Sequence, residues 1–263
     1  MSPVSLQTIY RLNNSPDTGR LEGRTILITG AASGIGRCCA LSCADQGAMV
    51  LILDKNENAL NTIYDEILEL GGTEPIQIVD DLGTLDEGRC EMLAGQIETE
   101  FGSLHGILHL AGETSPLAPM EHLPLKTWSR VIHTQVNAPW ILTRTMQPLL
   151  EAASGACVVF SSGEAARTPR AYWGAMGVSW GAMDAMAGIW NEECEERKVR
   201  FYSVNPGNVN TPMRRRLYPG DDPTKLPAAE EIGDAYVFLL STESSDIRDC
   251  KLEINDGVLT TTQ

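Results

Sequence analysis

Thr29-Gly30-Ala31-Ala32-Ser33-Gly34-Ile35-Gly36 is the stretch that decides the reading. It stands between a β-branched run at residues 25–29, read as a buried strand, and a helical segment at residues 37–46 closed by Gly47. Glycines at that junction permit a tight turn and let a phosphate approach the backbone. The helix behind them offers free N–H groups and partial positive charge. Three glycines alone say little; between a buried strand and a helix they predict a dinucleotide cradle.

On either side of this loop, strand and helix patterns alternate. Further strands are predicted at residues 49–53, 76–79, 106–110, 156–160, 200–204 and 252–254. Helices are predicted at 57–70, from a capping box at Thr84 to about Glu100, and at 125–132, 134–151, 171–196 and 230–240. Buried strands alternating with helices imply one parallel sheet covered on both faces, a doubly wound α/β (Rossmann) domain. Its ligand crevice lies at the carboxyl ends of the strands. Residues 1–22 read as an N-terminal arm packed on a neighbouring subunit. Residues 23–263 read as the domain, with a small substrate lobe near 212–228.

The chain has 263 residues, within reach of a single core, and 20 basic against 35 acidic residues give a net charge of −15. That balance argues against nucleic acid and against an anionic membrane surface as partners. Seven cysteines with no CxxC spacing read as reduced thiols in a cytoplasmic protein, with neither a disulfide frame nor a metal site. No signal-peptide pattern opens the chain, and the longest apolar stretch, residues 171–190, carries Asp184 and four glycines.

Asp54 ends the second predicted strand, 24 positions after Gly30. A carboxylate there accepts from both adenosine ribose hydroxyls and repels a 2′-phosphate, which favours NAD over NADP. Lys55 beside it works the other way, and the plain alternative for Asp54 is a turn residue.

The chain resembles the short-chain dehydrogenase/reductase family from residue 22 to about 257. Thr29 to Gly36 is similar to the TGxxxGIG pattern, with Gly30, Ser33, Gly34, Ile35 and Gly36 at the cofactor. Asp81-Leu82 resembles the pair that contacts adenine, and Ala111-Gly112 the end of NNAG. Asn205-Pro206-Gly207-Asn208-Val209-Asn210-Thr211 resembles NPGxVxT, which implies Pro206, Gly207, Val209 and Thr211 at the nicotinamide end. Trp173-Gly174-Ala175 and Asp221-Asp222-Pro223-Thr224-Lys225-Leu226 resemble the YciK-type subgroup.

The same resemblance implies a tyrosine that exchanges the substrate proton and a lysine four residues later that tunes it and holds the nicotinamide ribose. It also implies an orienting serine and an asparagine supporting a relay water. Here the tyrosine and lysine positions are Met176 and Trp180, so YxxxK reads MxxxW. No lysine occurs between Lys126 and Lys198. The asparagine position is Gln135. The serine position is Gly163, with Ser162 one residue away. Tyr172 is the substitute acid, expected one helical turn before Met176 on the same face. His109 and His133 flank the expected cleft.

Two functions are therefore expected. In the first, a dinucleotide-binding pseudoenzyme has lost proton transfer. In the second, an NAD(H)-dependent oxidoreductase acts on an alcohol or carbonyl through Tyr172 or Ser162. A third class is a structural partner of a catalytic paralogue. The small-residue helix 171–196 is expected to pair copies into a homodimer or homotetramer. Arg214-Arg215-Arg216 reads as a ligand clamp or a solvated basic patch.

Overall fold

The computed structural model describes residues 9–11, 19–194, 198–255 and 258–261. Among them nine strands form one sheet. They are β1 (Ile9–Arg11), β2 (Thr25–Thr29), β3 (Met49–Asp54), β4 (Ile76–Val79), β5 (Gly106–His109), β6 (Ala156–Ser161), β7 (Val199–Asn205), β8 (Lys251–Asn255) and β9 (Val258–Thr261). Their order is β1-β9-β8-β7-β6-β5-β2-β3-β4. β4 through β8 pair in parallel, while β9 returns antiparallel to β8 and β1 to β9. Strands β2, β5 and β7 are buried along their whole length, as apolar strands covered on both faces must be.

On one face α1 (Gly34–Asp45), α2 (Glu57–Glu69) and α9 (Gly233–Leu240) bury Cys39, Cys43, Leu60, Ile63 and Leu239. The other face carries α3 (Glu87–Phe101), α5 (Ala138–Ala152) and α7 (Gly174–Glu193), which bury Cys90, Leu142, Met146 and Met183. Outside these layers α4 (Leu125–Ile132), the short α6 (Glu164–Arg167) and α8 (Pro212–Leu217) surround the carboxyl ends of the strands. The connection order reverses between β2 and β5, which opens the crevice there. All seven cysteines are free, and burial pushes the Cys38 and Cys157 thiols up to about 11, so they act as small apolar fillers.

Several boundaries differ from the sequence reading. Helix α1 starts at Gly34 rather than residue 37, so the loop glycines form its first turn. Helix α3 is capped by Asp86, whose Oδ1 accepts from the Arg89 N–H at 2.9 Å, and not by Thr84. A carboxylate complements the helix dipole better than a hydroxyl. The two helices predicted at 125–132 and 134–151 are one run, joined by a π-turn at His133–Asn137. The last helix opens as a 3-10 turn, Ala229–Ile232. Strands β1 and β9 and helices α6 and α8 were not expected. Of the predicted N-terminal arm, residues 1–8 and 12–18 lie outside the described residues. Residues 9–11 pair with β9 of the chain's own sheet.

The long helix begins at Gly174, not residue 171, because Tyr172 takes a left-handed φ of 75°. Residues 195 and 196 of its predicted span lie outside the described residues.

Candidate cofactor cleft

A cleft of about 700 Å³ opens at the crevice, and every residue predicted to hold the cofactor lines it: Gly30 to Thr211, through Asp54, Asp81 and Pro206. Its first end is built from backbone. Gly30 has φ +70°, and a Cβ there would lie 2.6 Å from the Ala111 backbone. A Cβ on Gly36 would lie 2.1 Å from the Gly30 carbonyl oxygen. These glycines bring β2, α1 and the loop after β5 into contact that no side chain permits. Ser33 caps α1 without a side-chain hydrogen bond, and no acidic residue stands in the first turn. The helix terminus therefore keeps its positive end free for an anion.

Carboxylates and cations surround this end. The Ala32 N–H donates to Asp54 Oδ2 at 3.2 Å and the Asn56 N–H to Oδ1 at 3.0 Å. Asp54 thus serves the turn and still presents lone pairs to the cleft. Arg130 on α4 bridges Glu113 at 2.8 Å and Asp81 at 3.1 Å, and Lys55 approaches Glu113 at 3.5 Å. Burial alone would raise the Asp81 carboxyl. The Gly83 N–H and the Arg130 guanidinium outweigh it and hold the group below the usual carboxylate range.

The far end is aromatic. Trp180 lines the cleft with its ring on Gly163, where a Cβ would lie 2.6 Å from the indole. Trp173 packs on Trp180 at 5.3 Å and on Tyr218 at 6.1 Å. Met176 is fully buried with Val131 and Ala175 and does not reach the cleft. Ser162 lines the cleft, but its Oγ is buried without a hydrogen-bond partner. The Gln135 amide is committed: Oε1 accepts from the Glu113 N–H at 3.1 Å, and Nε2 donates to Ser179 Oγ at 3.1 Å.

Tyr172, expected as the substitute acid, does not line the cleft. Its positive φ places it before the helix instead of one turn back along Met176's face, and it is 57% exposed outside the cleft. The tyrosine that does line the cleft is Tyr218, at the end of α8, which the sequence reading missed. Its one visible signal is its position four residues after Arg214, whose guanidinium lies 3.9 Å from the ring centre. The arginine triplet divides. Arg214 clasps Asp221 and Asn208, Arg215 clasps Asn210, and Arg216 faces the cleft. Beneath the floor, Arg167 on α6 stands 3.6 Å from the buried Asp184 of α7 and 4.0 Å from Glu253 of β8.

The histidines are structural. His133 bonds the Leu85 carbonyl at 3.0 Å. His109 stacks on Phe160 at 5.0 Å, in a column continued by Trp190 and Phe201, and bonds Thr143 Oγ1 at 2.8 Å. Burial pushes the His109 imidazole down to about 3. The unfolded chain takes up that proton near pH ~6.5, so between there and about pH 3 it binds more protons than the folded chain. Stability is full above this window and falls as pH drops through it, by up to about 1.4 kcal/mol per pH unit from this ring. Urea unfolding of His109→Gln is expected to show an acid slope shallower by one proton; an unchanged slope refutes the assignment.

Among the described residues no helix is long and apolar enough to cross a membrane. The chain is 34% identical over 233 residues to the uncharacterized oxidoreductase YciK of Escherichia coli (strain K12), covering 89% of this chain and 92% of that protein. A short chain dehydrogenase structure from Pseudomonas syringae superposes with a TM-score of 0.88 at 38% identity, over 91% of this chain and 97% of that one. Another from Shigella flexneri 2a, complexed with NADP, gives 0.84 at 34% identity over 87% and 95%. The short chain dehydrogenase family profile matches residues 24–222, and the chain belongs to that family.

Proposed function

We propose that this chain is a nicotinamide-dinucleotide-binding pseudoenzyme: it keeps the family's nucleotide cradle, has lost its proton-transfer apparatus, and works through binding. The observation that carries the reading is Trp180 packed on Gly163, with Met176 buried behind it. Methionine transfers no proton, and a positioned acid is worth about 10²–10⁴ in rate. The free N-terminus of α1 and the glycine contacts support nucleotide binding. The Asp54 carboxylate supports NAD over NADP, since a 2′-phosphate would meet its negative charge. The Shigella relative was crystallised with NADP, so this preference belongs to Asp54 alone and not to the likeness.

A second reading, an NAD(H)-dependent oxidoreductase of alcohols or carbonyls, has one observation in its favour. Tyr218 is a cleft tyrosine with a guanidinium beside it. Free cysteines support a reducing, cytoplasmic setting. The exposed Val178 and Ile189 of α7 support a homo-oligomer built on that helix.

Calorimetric titration with NAD, NADH, NADP and NADPH tests the proposal, after checking for co-purified nucleotide and measuring mass by light scattering. NAD and NADH are expected to bind with Kd on the order of micromolar, more tightly than the phosphorylated pair, to a dimer or tetramer. No turnover is expected across a panel of alcohols and ketones. Turnover that vanishes in Tyr218→Phe decides for the second reading. No binding by any of the four sinks both.

A further inference from the structure

We infer that the far end of the cleft binds a small aromatic carboxylate. Arg216 takes the acid group, the wall of Trp173, Trp180 and Tyr218 takes the ring, and the Ser162 and Thr134 hydroxyls take a second polar group on that ring. This goes beyond the nucleotide reading above, whose cradle stands at the opposite end.

Two hydroxyls at the far end have nothing to bond. Ser162 is 3% exposed and Thr134 6%, both line the cleft, and neither oxygen has a hydrogen-bond partner among the described residues. Their backbones are fixed. The Ser162 N–H, just past β6, donates to the Val204 carbonyl at 2.8 Å, and Thr134 belongs to the π-turn His133–Asn137. Other helical threonines donate to the carbonyl four residues back, Thr62 at 3.2 Å, Thr99 at 2.7 Å and Thr145 at 2.8 Å. Thr134 does not. The chain brings both hydroxyls beside Trp180: Gly163 follows Ser162 and lies against the indole, and Gln135 follows Thr134 and holds Ser179, the residue before Trp180. A buried hydroxyl left unpaired costs stability, so a ligand that pairs it is bound with that cost removed.

The wall and the charge define the rest of the ligand. Trp180, Trp173 and Tyr218 form a connected aromatic surface on the cleft, which suits a flat ring. Four cationic side chains line the cleft among the described residues. Lys55 is held by Glu113, Arg170 by Glu164 and Arg214 by Asp221. The fourth, Arg216, is exposed on the last turn of α8, and its guanidinium has no partner among the described residues. A free guanidinium fork matches a carboxylate. Glu164 and Glu253 line the same cleft, so a single negative charge suits it better than a phosphate dianion.

Calorimetric titration of the intact protein with para-hydroxybenzoate tests this, beside benzoate and para-hydroxybenzamide. Para-hydroxybenzoate is expected to bind with Kd below about 1 mM and at least about fivefold more tightly than either analogue. Arg216→Gln is expected to weaken the acid about tenfold and to leave the amide unchanged. Ser162→Ala is expected to weaken para-hydroxybenzoate several-fold and to leave the unliganded Tm unchanged or higher, because the hydroxyl it removes has no partner to lose. A Kd above about 1 mM, acid and analogues bound alike, or a lower Tm in Ser162→Ala overturns the inference. NAD titrated in parallel separates the two readings: NAD binding without the acid sinks this inference alone, and acid binding without NAD sinks the nucleotide reading alone.

Discussion

Gly163→Ser is expected to destabilise the chain by about 1–3 kcal/mol as a single substitution and to be near neutral once Trp180 is replaced by lysine. The reason is steric. A Cβ on Gly163 would lie 2.6 to 2.9 Å from three carbons of the Trp180 indole, and that indole also packs on Trp173, 5.3 Å between ring centres. Moving the ring off Gly163 disturbs its packing on Trp173, so the overpacking is expected to appear as lost stability. At this chain length each kcal/mol moves Tm by roughly 2–4 °C, well within the reach of calorimetry. A double-mutant cycle isolates the coupling, expected to be about 1–3 kcal/mol. Additive effects of Gly163→Ser and Trp180→Lys would show that the two positions changed independently.

The same contact has a catalytic consequence. With Trp180 in place, a serine at residue 163 would press on the indole, so under the pseudoenzyme reading the two positions are expected to act as a unit. The triple substitution Gly163→Ser, Met176→Tyr, Trp180→Lys restores an acid, its cation and its orienting partner around the start of α7. Against wild type it is expected to raise dinucleotide-dependent turnover of simple alcohols by on the order of 10²–10⁴. Wild-type activity equal to that of the triple variant would refute the pseudoenzyme reading.

The sequence shows the cradle plainly because glycine there has no substitute. Gly36 cannot carry a Cβ so near the Gly30 carbonyl, and residues 205–211 return to the same cleft. Apolar runs suffice for β2, β3, β5, β6 and β7 for a similar reason: strands buried on both faces tolerate little else. The far end is less legible, since its meaning lies in pairs distant along the chain. Gly163 is intelligible only against Trp180, 17 residues on. Tyr172 is an ordinary residue for a helix, and only the three-dimensional turn at φ 75° removes it from Met176's face. Tyr218 reaches the cleft because Thr211 caps a short α8 and Arg214 ties it to Asp221, a clasp that no motif signals. Edge strand β1 and its neighbour β9 are three and four residues long, too short for alternation to stand out.

Arg167→Met is expected to lower stability by about 3–5 kcal/mol, the range for leaving one member of a buried ion pair alone. Asp184 sits in the middle of α7 with its side chain 9% exposed. Among the described residues, the Ser203 hydroxyl is the hydrogen-bond partner it keeps when Arg167 is removed. The same guanidinium donates to the Leu252 carbonyl at 2.9 Å and stands near Glu253, so α6, α7 and β8 meet on one charge. Against a total stability of about 5–15 kcal/mol this is a large fraction, and a Tm fall on the order of 10 °C is expected. Adding Asp184→Asn removes the stranded charge and is expected to recover more than half of the loss, because replacing both partners of a buried pair is milder than removing one. Glu253 accepts from Asn205, and both line the cleft, so the single variant is also expected to weaken nucleotide binding several-fold. A loss below about 1 kcal/mol would mean that water takes Arg167's place beside Asp184. The floor of the cleft would then be held by packing and not by charge.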